Sequence, residues 1–381
     1  MLALMMTMTD RKLRVAVLFG GRSGEHEVSL LSARSVIAAL DPEKYSVTQI
    51  GITHDGKWHT GENVLEALES GRTESLERVI LPSEPGRSSI FTTRSTKIGD
   101  KLETIAAIDV FFPVLHGTFG EDGTMQGLFE LADVAYVGAG VVGSAVGMDK
   151  GVFKDVMRAN HIPVVDWVIL RRSELEQDME TAIRKAESVG TYPLFVKPAN
   201  LGSSVGITKC NSRADLGEGL MEAAAFDRRI LVERGVVNAS EIEVSVLGND
   251  QPIASVPGEV LPSREFYSYE SKYVDGTSGL VIPAQIPAET AEYIRDMAVR
   301  AYQAIDCAGM ARADFFLEKE TGRVLLNELN TLPGFTSISM YPKLWNATGI
   351  SYPELVDRLI QLALERKAER DRTTREFRRS K

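Results

Sequence analysis

Two short segments late in the chain, Gly309 to Glu318 (GMARADFFLE) and Arg323 to Asn330 (RVLLNELN), hold the side chains with the clearest chemical meaning. Both read as strands, joined through Lys319-Glu320-Thr321-Gly322. A three-residue loop, Glu320-Thr321-Gly322, puts glycine at the left-handed position of such a hairpin. In that register Lys319 faces Arg323, Asp314 faces Glu328 and Arg312 faces Asn330. Side chains alternate along a strand, so Arg312, Asp314, Glu328 and Asn330 share one face. Two facing carboxylates repel unless a cation sits between them. Oxygen ligands of this kind suit Mg²⁺, which takes one or two carboxylates together with nucleotide phosphates. The alternative is an exposed face with unrelated charges, but apolar Phe315, Leu317, Leu325 and Leu329 interleave and make the polar face a distinct stripe. A two-residue turn would shift the register by one and send the carboxylates to opposite faces.

Other segments offer groups for an anionic, polar ligand. In Leu194 to Gly206 (LFVKPANLGSSVG), Lys197 ends a strand ahead of a Gly/Ser loop whose backbone N–H groups can cradle phosphates. A plain surface turn is the alternative. No GxxxxGK[ST] occurs, so this is not a Walker A loop. Gly202-Ser203-Ser204-Val205-Gly206 does fit GxSxG, yet a hydrolase elbow needs a later histidine, and His26, His54, His59, His116 and His161 all precede Ser204. In ILVER, Glu233 ends a strand where a carboxylate could meet an adenine or ribose edge. His116 opens the Gly-rich run HGTFGEDG after a buried strand, the place where ligands bind in open α/β sheets; a histidine satisfied by loop backbone is the alternative. Gly20-Gly21-Arg22-Ser23-Gly24-Glu25-His26-Glu27 lacks GxGxxG spacing, which argues against a dinucleotide. Glu25 there could hold an ammonium group, and helix capping by Ser23 or Glu27 is the alternative.

These residues need a frame. The chain has 381 residues, enough for two or three domains, with 44% hydrophobic and 25% charged residues, as in soluble globular enzymes. A net charge of −10 argues against a nucleic-acid partner. Two cysteines, Cys210 and Cys307, with no CxxC, exclude a disulfide framework or zinc ribbon and fit a reducing cytoplasm. No apolar run of about 20 residues exists, so no membrane span is expected. The strand Arg14 to Phe19, the helix carrying Leu30, Ala33, Ile37 and Leu40, and the strand Tyr45 to Thr53 form a βαβ pattern and imply a parallel sheet. Asp109 to Leu115 is another buried strand, followed by a helix at Thr124 to Ala132 and a strand at Val134 to Val137. Gly138 to Gly147 reads as a linker, and residues 57–105 are uninformative. A helix near Lys150, the strand Pro163 to Leu170, a helix at Ser173 to Val189 and the strands at 194–197, 230–233 and 241–247 follow. Then come a long loop from Leu261 to Thr277, a helix from Ala288 to Ile305, the hairpin and two last helices. Residues 1–10 read as a disordered extension, and 366–381, with eight Lys/Arg against three Asp/Glu, as a frayed basic tail.

Together the blocks FGGRSGEHEVS, HGTFGEDGTMQG, GMDK, VKPANLGSSVG, YSYESKY, ARADF and LNELNTLPGFTSISM resemble the D-alanine–D-alanine ligase family of the ATP-grasp superfamily, in that family's order from residue 19 to 340. The resemblance implies an α/β, three-domain ATP-grasp fold: an N-terminal Rossmann-like substrate domain (1–149), a central ATP-grasp domain (150–240) and a C-terminal ATP-grasp and metal domain (241–381). It implies ATP-dependent joining of two D-alanine molecules through a D-alanyl phosphate, for peptidoglycan precursors, in a cytoplasmic homodimer. Lys150, Lys197, Ser204, Glu233, Glu241 and Lys272 would bind ATP. Asp314, Glu328 and Asn330 would bind two Mg²⁺, with Mn²⁺ as a substitute. Glu25 would hold the first ammonium, with Ser203 and Tyr273 hydrogen-bonded to it, and His116 would lie near the first carboxylate. Arg312 and the Gly334 N–H would stabilise the oxyanion, and Ser339 and Met340 would contact the second D-alanine. The loop from Leu261 to Thr277 would act as a lid. Relatives that use D-lactate differ at the position of Tyr273, so D-lactate or D-serine as second substrate is the alternative. A scaffold with lost catalysis would show damage at Asp314, Glu328, Arg312 or Pro333-Gly334, and none is seen.

Overall fold

The computed structural model describes residues 11–202, 205–261 and 279–375. The expected extension at 1–10 and the end of the basic segment, 376–381, lie outside them.

Strand β1 (Leu13–Gly20) forms because LRVAVLFG is apolar on both faces, and Val15 to Phe19 are fully buried. It pairs in parallel with β2 (Tyr45–Ile52), after the helix His26–Ala39. Strands β3 (Trp58–Thr60) and β4 (Glu77–Arg78) extend this sheet antiparallel, and β5 (Ser89–Thr96) and β6 (Gly99–Ala107) make a separate hairpin. All but the last two residues of these four strands lie in the stretch 57–105 that the sequence left unread. β7 (Val110–Pro113) lies on the other side of β1, so the order is β4-β3-β2-β1-β7. The strand expected at Val134 to Val137 reduces to a single parallel bridge between Phe111 and Tyr136.

The second sheet is antiparallel, in the order β10-β9-β11-β8, from β8 (Trp167–Arg171), β9 (Leu194–Pro198), β10 (Thr208–Cys210) and β11 (Arg229–Arg234). Helices Met179–Glu187 and Arg213–Phe226 cover its apolar face. The single helix expected over 173–189 is two, because the side chain of Asp178 accepts from the Thr181 N–H and starts a new one. The third sheet holds β12 (Ala239–Gly248), β13 (Ile253–Ala254), β14 (Gly258–Leu261), β15 (Gly279–Val281), β16 (Gly309–Glu318) and β17 (Val324–Asn330), in the order β15-β14-β12-β16-β17 with β13 beside β12. The helix Ala288–Ala304 packs behind it through Ile294, Met297, Ala298 and Ala301. The expected division at 240/241 falls inside β12.

Two expectations are corrected by packing. Gly138 to Gly147 is mostly helix, Val141–Met148, rather than a linker. Glycine weakens an isolated helix. Here a Cβ on Gly143 would come within 3.0 Å of the Asp306 carbonyl, and one on Gly147 within 2.8 Å of Thr331. Close approach to the third sheet's flank is what these glycines allow. The basic segment does not fray at 366, since the last helix runs Tyr352–Asp371. Arg366 donates to the Tyr136 and Gly138 carbonyls and stacks 4.1 Å over the Tyr136 ring. Arg370 pairs with Glu130 and Asp133. Leu355, Val356, Leu359 and Ile360 of this helix are fully buried in the core of the first sheet. Burying each such side chain contributes about 1.5–3 kcal/mol. Among the described residues no helix is long and apolar enough to cross a membrane.

Candidate active site

The β16–β17 hairpin reaches the expected pairing by an unexpected route. The Glu318 N–H donates to the Arg323 carbonyl (3.0 Å) and Leu317 pairs with Val324, so the loop is four residues, 319–322. This register alone would send Asp314 and Glu328 to opposite faces. A bulge between Asp314 and Phe315 takes up one extra residue, Asn327, on β17. Beyond it Asp314 pairs with Glu328, Ala313 with Leu329 and Arg312 with Asn330. Gly322 is left-handed (φ 69°), as expected of that position.

On its other edge β16 pairs with β12, which sets Glu243 opposite Asp314 and Ser245 opposite Arg312. Across three strands, Glu243, Asp314 and Glu328 form one row, and Ser245, Arg312 and Asn330 the next. Arg312 donates to both carboxylate oxygens of Asp314, from Nε and Nη2, each at 2.7 Å. Its Nε is also 2.9 Å from Glu243 Oε2. The Asn330 amide donates to Asp314 Oδ2 (3.0 Å). Glu243, 5% exposed, has no place in the sequence reading. The alternation in SEIEVSV, with polar Glu241, Glu243 and Ser245 between apolar residues, is the signal that could have found it.

A second charged group lies in the adjoining sheet. Glu233 at the end of β11 meets Lys154 Nζ and Lys197 Nζ, each at 2.5 Å. Lys154, 1% exposed, is also new; it follows Lys150 by one helical turn on the helix Lys150–Ala159. Asp149 caps that helix, accepting from the Gly151 and Val152 N–H groups and pairing with Arg229. Lys150 then reaches across to donate to the Leu201 carbonyl (2.7 Å) in the Gly/Ser loop. Burial alone would raise the Glu233 carboxyl, but the two lysines outweigh it and hold the group at about 2. Burial pulls the Lys154 ammonium below its usual range despite Glu233. Lys197 is raised, because Glu233 outweighs its burial.

A carboxyl depressed from about 4.5 to about 2 gives stability that is complete above about pH 4.5 and lost as pH falls through the folded value. Lys154→Met removes one of its two partners. We expect a cost of about 3 kcal/mol above pH 4.5, the low end for a broken buried pair because Lys197 remains. The gap from wild type should narrow toward pH 2, as read by urea unfolding against pH. A gap independent of pH would mean that Lys154 acts by packing alone.

The first sheet supplies the remaining groups. Glu25 sits at the N-terminus of the helix His26–Ala39, where its N–H donates to Ser23 Oγ (3.0 Å). A Cβ on Gly117, left-handed at φ +77°, would lie 2.6 Å from Glu25 Oε2, and one on Gly202 2.9 Å from it. Glycines at both positions thus let two loops close on this carboxylate. His116 is buried, with Nε2 3.0 Å from Ser32 Oγ and Nδ1 3.1 Å from the Leu332 carbonyl. The ring therefore ties the first sheet to the turn after β17. Burial disfavours its charged form, but Glu121 at 3.8 Å, Glu25 and the Leu332 carbonyl together push its pKa up. Burial likewise holds the Glu121 carboxyl up. Ser339 starts the helix Met340–Thr348, and its hydroxyl accepts from the Thr336 N–H (3.1 Å).

The expected site residues that are described converge on one cavity of about 540 Å³. Glu25, His116, Lys150, Lys197, Glu233, Glu241, Arg312, Asp314, Glu328, Asn330, Gly334, Ser339 and Met340 line it, as do Glu121 and Glu243. Ser203, Ser204, Lys272, Tyr273 and nearly all of the expected lid lie outside the described residues. Among the described residues no three His, Cys, Asp or Glu converge as a cation cage. Two carboxylates and an amide instead suit a hard cation that keeps waters and shares phosphate ligands, as Mg²⁺ does.

Residues 14–139 match the family model described as D-ala D-ala ligase N-terminus, and 156–361 the one described as D-ala D-ala ligase C-terminus. A curated relative from Acetivibrio thermocellus, named D-alanine--D-alanine ligase, is 48% identical over 368 residues, covering 94% of this chain and 97% of its own. One of the same name from Ruminiclostridium cellulolyticum is 51% identical over 362 residues, with 93% and 96% covered. Among solved structures, the D-alanine-D-alanine ligase from Coxiella burnetii has a TM-score of 0.80 at 34% identity, over 94% of this chain and 96% of that one. The VanG D-Ala:D-Ser ligase from Enterococcus faecalis has a TM-score of 0.81 at 35% identity, over 93% and 100%. With the fold, the cavity and both family models in agreement, the chain belongs to the D-alanine–D-alanine ligase family.

Proposed function

We infer that this chain uses ATP to join two D-alanine molecules into D-alanyl-D-alanine, for cell-wall peptidoglycan. The observation that carries the reading is a single cavity with three kinds of group: lysines for phosphate, facing carboxylates for a cation, and Glu25 for an ammonium. A carboxylate is a poor acyl donor at neutral pH. Its oxygen attacks the ATP γ-phosphorus, ADP leaves, and the resulting acyl phosphate has a good leaving group. The amine of the second D-alanine then attacks the carbonyl carbon, phosphate departs, and the amine loses a proton.

In this reading Lys150 and Lys197 offset phosphate charge, and Glu233 and Glu241 face the adenine and ribose, with Ser204 and Lys272 on the ATP side. Phosphoryl transfer asks the protein for positioning and electrostatics more than for covalent help. Asp314, Glu328 and Asn330 would hold Mg²⁺ or Mn²⁺, which when bound offsets the charge of the transferring phosphoryl group. Glu25, with Ser203 and Tyr273, orients the first D-alanine by its ammonium, and His116 faces its carboxylate. Arg312 and the Gly334 N–H receive the oxyanion formed when the amine attacks. Ser339 and Met340 contact the second D-alanine. The free, buried thiols of Cys210 and Cys307 are in keeping with a reducing cytoplasm, and the family resemblance implies a homodimer.

D-serine as second substrate is the alternative, supported by the likeness to the Enterococcus faecalis D-Ala:D-Ser ligase. The curated relatives named D-alanine--D-alanine ligase, about half identical to this chain, favour D-alanine. The test supplies ATP, Mg²⁺ and D-alanine, with and without D-serine, and measures ADP, phosphate and dipeptide. One ADP and one phosphate per D-alanyl-D-alanine is expected. Turnover only with D-serine present would replace the second substrate and leave the fold assignment intact.

A further inference from the structure

We propose that Glu243 is a positioning residue: it keeps the Arg312 guanidinium in place when Asp314 gives it up to a divalent cation. The proposal rests on the reading of Asp314 and Glu328 as the cation site.

The geometry sets up a competition for Asp314. Arg312 takes both its carboxylate oxygens at 2.7 Å, and the Asn330 amide takes one of them. A cation that binds Asp314 must loosen those two hydrogen bonds from Arg312. The guanidinium then loses a carboxylate partner in a place where its side chain is only 14% exposed. Weakening the pairing of a charge this buried is costly. Glu243 is a carboxylate already within reach, 2.9 Å from Arg312 Nε and 7% exposed in its side chain. Strand pairing keeps it there, since Glu243 lies directly across β12–β16 from Asp314 and diagonal to Arg312. Arg312 can therefore move its weight from Asp314 to Glu243 by a small turn of its fork. It stays beside the reacting carbonyl without remaining a rival for the metal ligand.

The role predicts a split between metal and nucleotide binding. Mn²⁺ is titrated into the full-length protein with ADP, and free Mn²⁺ is followed by electron paramagnetic resonance. In Glu243→Gln, Arg312 loses the Glu243 charge and leans on Asp314, and Mn²⁺ affinity should weaken about tenfold. ADP affinity without metal should stay within about twofold. In an Arg312→Met background the same substitution should change Mn²⁺ affinity by no more than about twofold, because its effect runs through Arg312. Wild-type Mn²⁺ affinity in Glu243→Gln would overturn the proposal. So would a tenfold loss that persists without Arg312. If Glu243→Gln does not fold, Glu243→Asp takes its place: the shorter carboxylate should weaken Mn²⁺ about threefold, and unchanged affinity would overturn the role. Failure of the wild-type protein to bind Mn²⁺ with ADP would instead sink the cation-site reading on which the proposal stands.

Discussion

Replacing Glu328 by Gln should lower kcat by about 10²–10³-fold while the chain folds as before. Glu328 is only half buried, and it pairs with Asp314 across the bulged end of β16–β17. The amide keeps the volume and one oxygen, so neither the strand nor the bulge should change. It removes one of two facing negative charges. Asp314 is relieved of a facing charge while Lys150 and Lys197 lose a nearby one, so the thermal midpoint should shift little. The loss should fall on the reaction. Stabilisation of phosphoryl charge by a held cation is worth several kcal/mol, and each 1.36 kcal/mol is about a factor of ten. Raising Mg²⁺ should recover part of the rate. Turnover with the wild-type dependence on Mg²⁺ would remove Glu328 from the cation site.

Arg312→Lys should cost about 10²-fold in kcat with little change in KM for ATP. The substitution keeps the positive charge between Glu243 and Asp314, so the buried carboxylates retain a counter-ion. What it loses is the planar fork. Arg312 spans both oxygens of Asp314 while its Nε lies 2.9 Å from Glu243, and an ammonium on a flexible stem cannot do this and also hold a fixed direction. Loss of one donor aimed at a developing oxyanion typically costs about 10²–10³-fold. Circular dichroism should match wild type, and steady-state kinetics should place the loss in kcat. A kcat within about fivefold of wild type would assign Arg312 to charge balance alone.

Both predictions rest on a pairing that was legible for a reason only partly right. Placing Asp314 opposite Glu328 assumed a three-residue loop, whereas the chain uses a four-residue loop and then a bulge at Asn327. The two one-residue offsets cancel. Turn chemistry around Gly322 is local and could be read, but a bulge is settled by which side chains the neighbouring strands and core accept. Leu326 faces the core opposite Phe315 while Glu328 turns to the cavity, and only the extra residue satisfies both. Packing likewise decided Gly138 to Gly147, whose glycines let a helix approach the third sheet. It also decided the last helix, whose basic residues found carbonyl and carboxylate partners on the helix Thr124–Ala132 and the segment after it.

Residue type and spacing were enough to single out the side chains offered to phosphate, cation and ammonium, because those needs restrict residue type and place the residues at strand ends and Gly-rich loops. Tertiary structure alone decided how those charges are shared. Glu233 lies between Lys154 and Lys197, and Arg312 between Glu243 and Asp314. Glu243 and Asp314 are about 70 residues apart in the chain and become neighbours only when β12 and β16 pair. An isolated strand shows that a carboxylate faces one side. Which guanidinium it then holds depends on the register of the next strand, and that is set by the core behind the sheet.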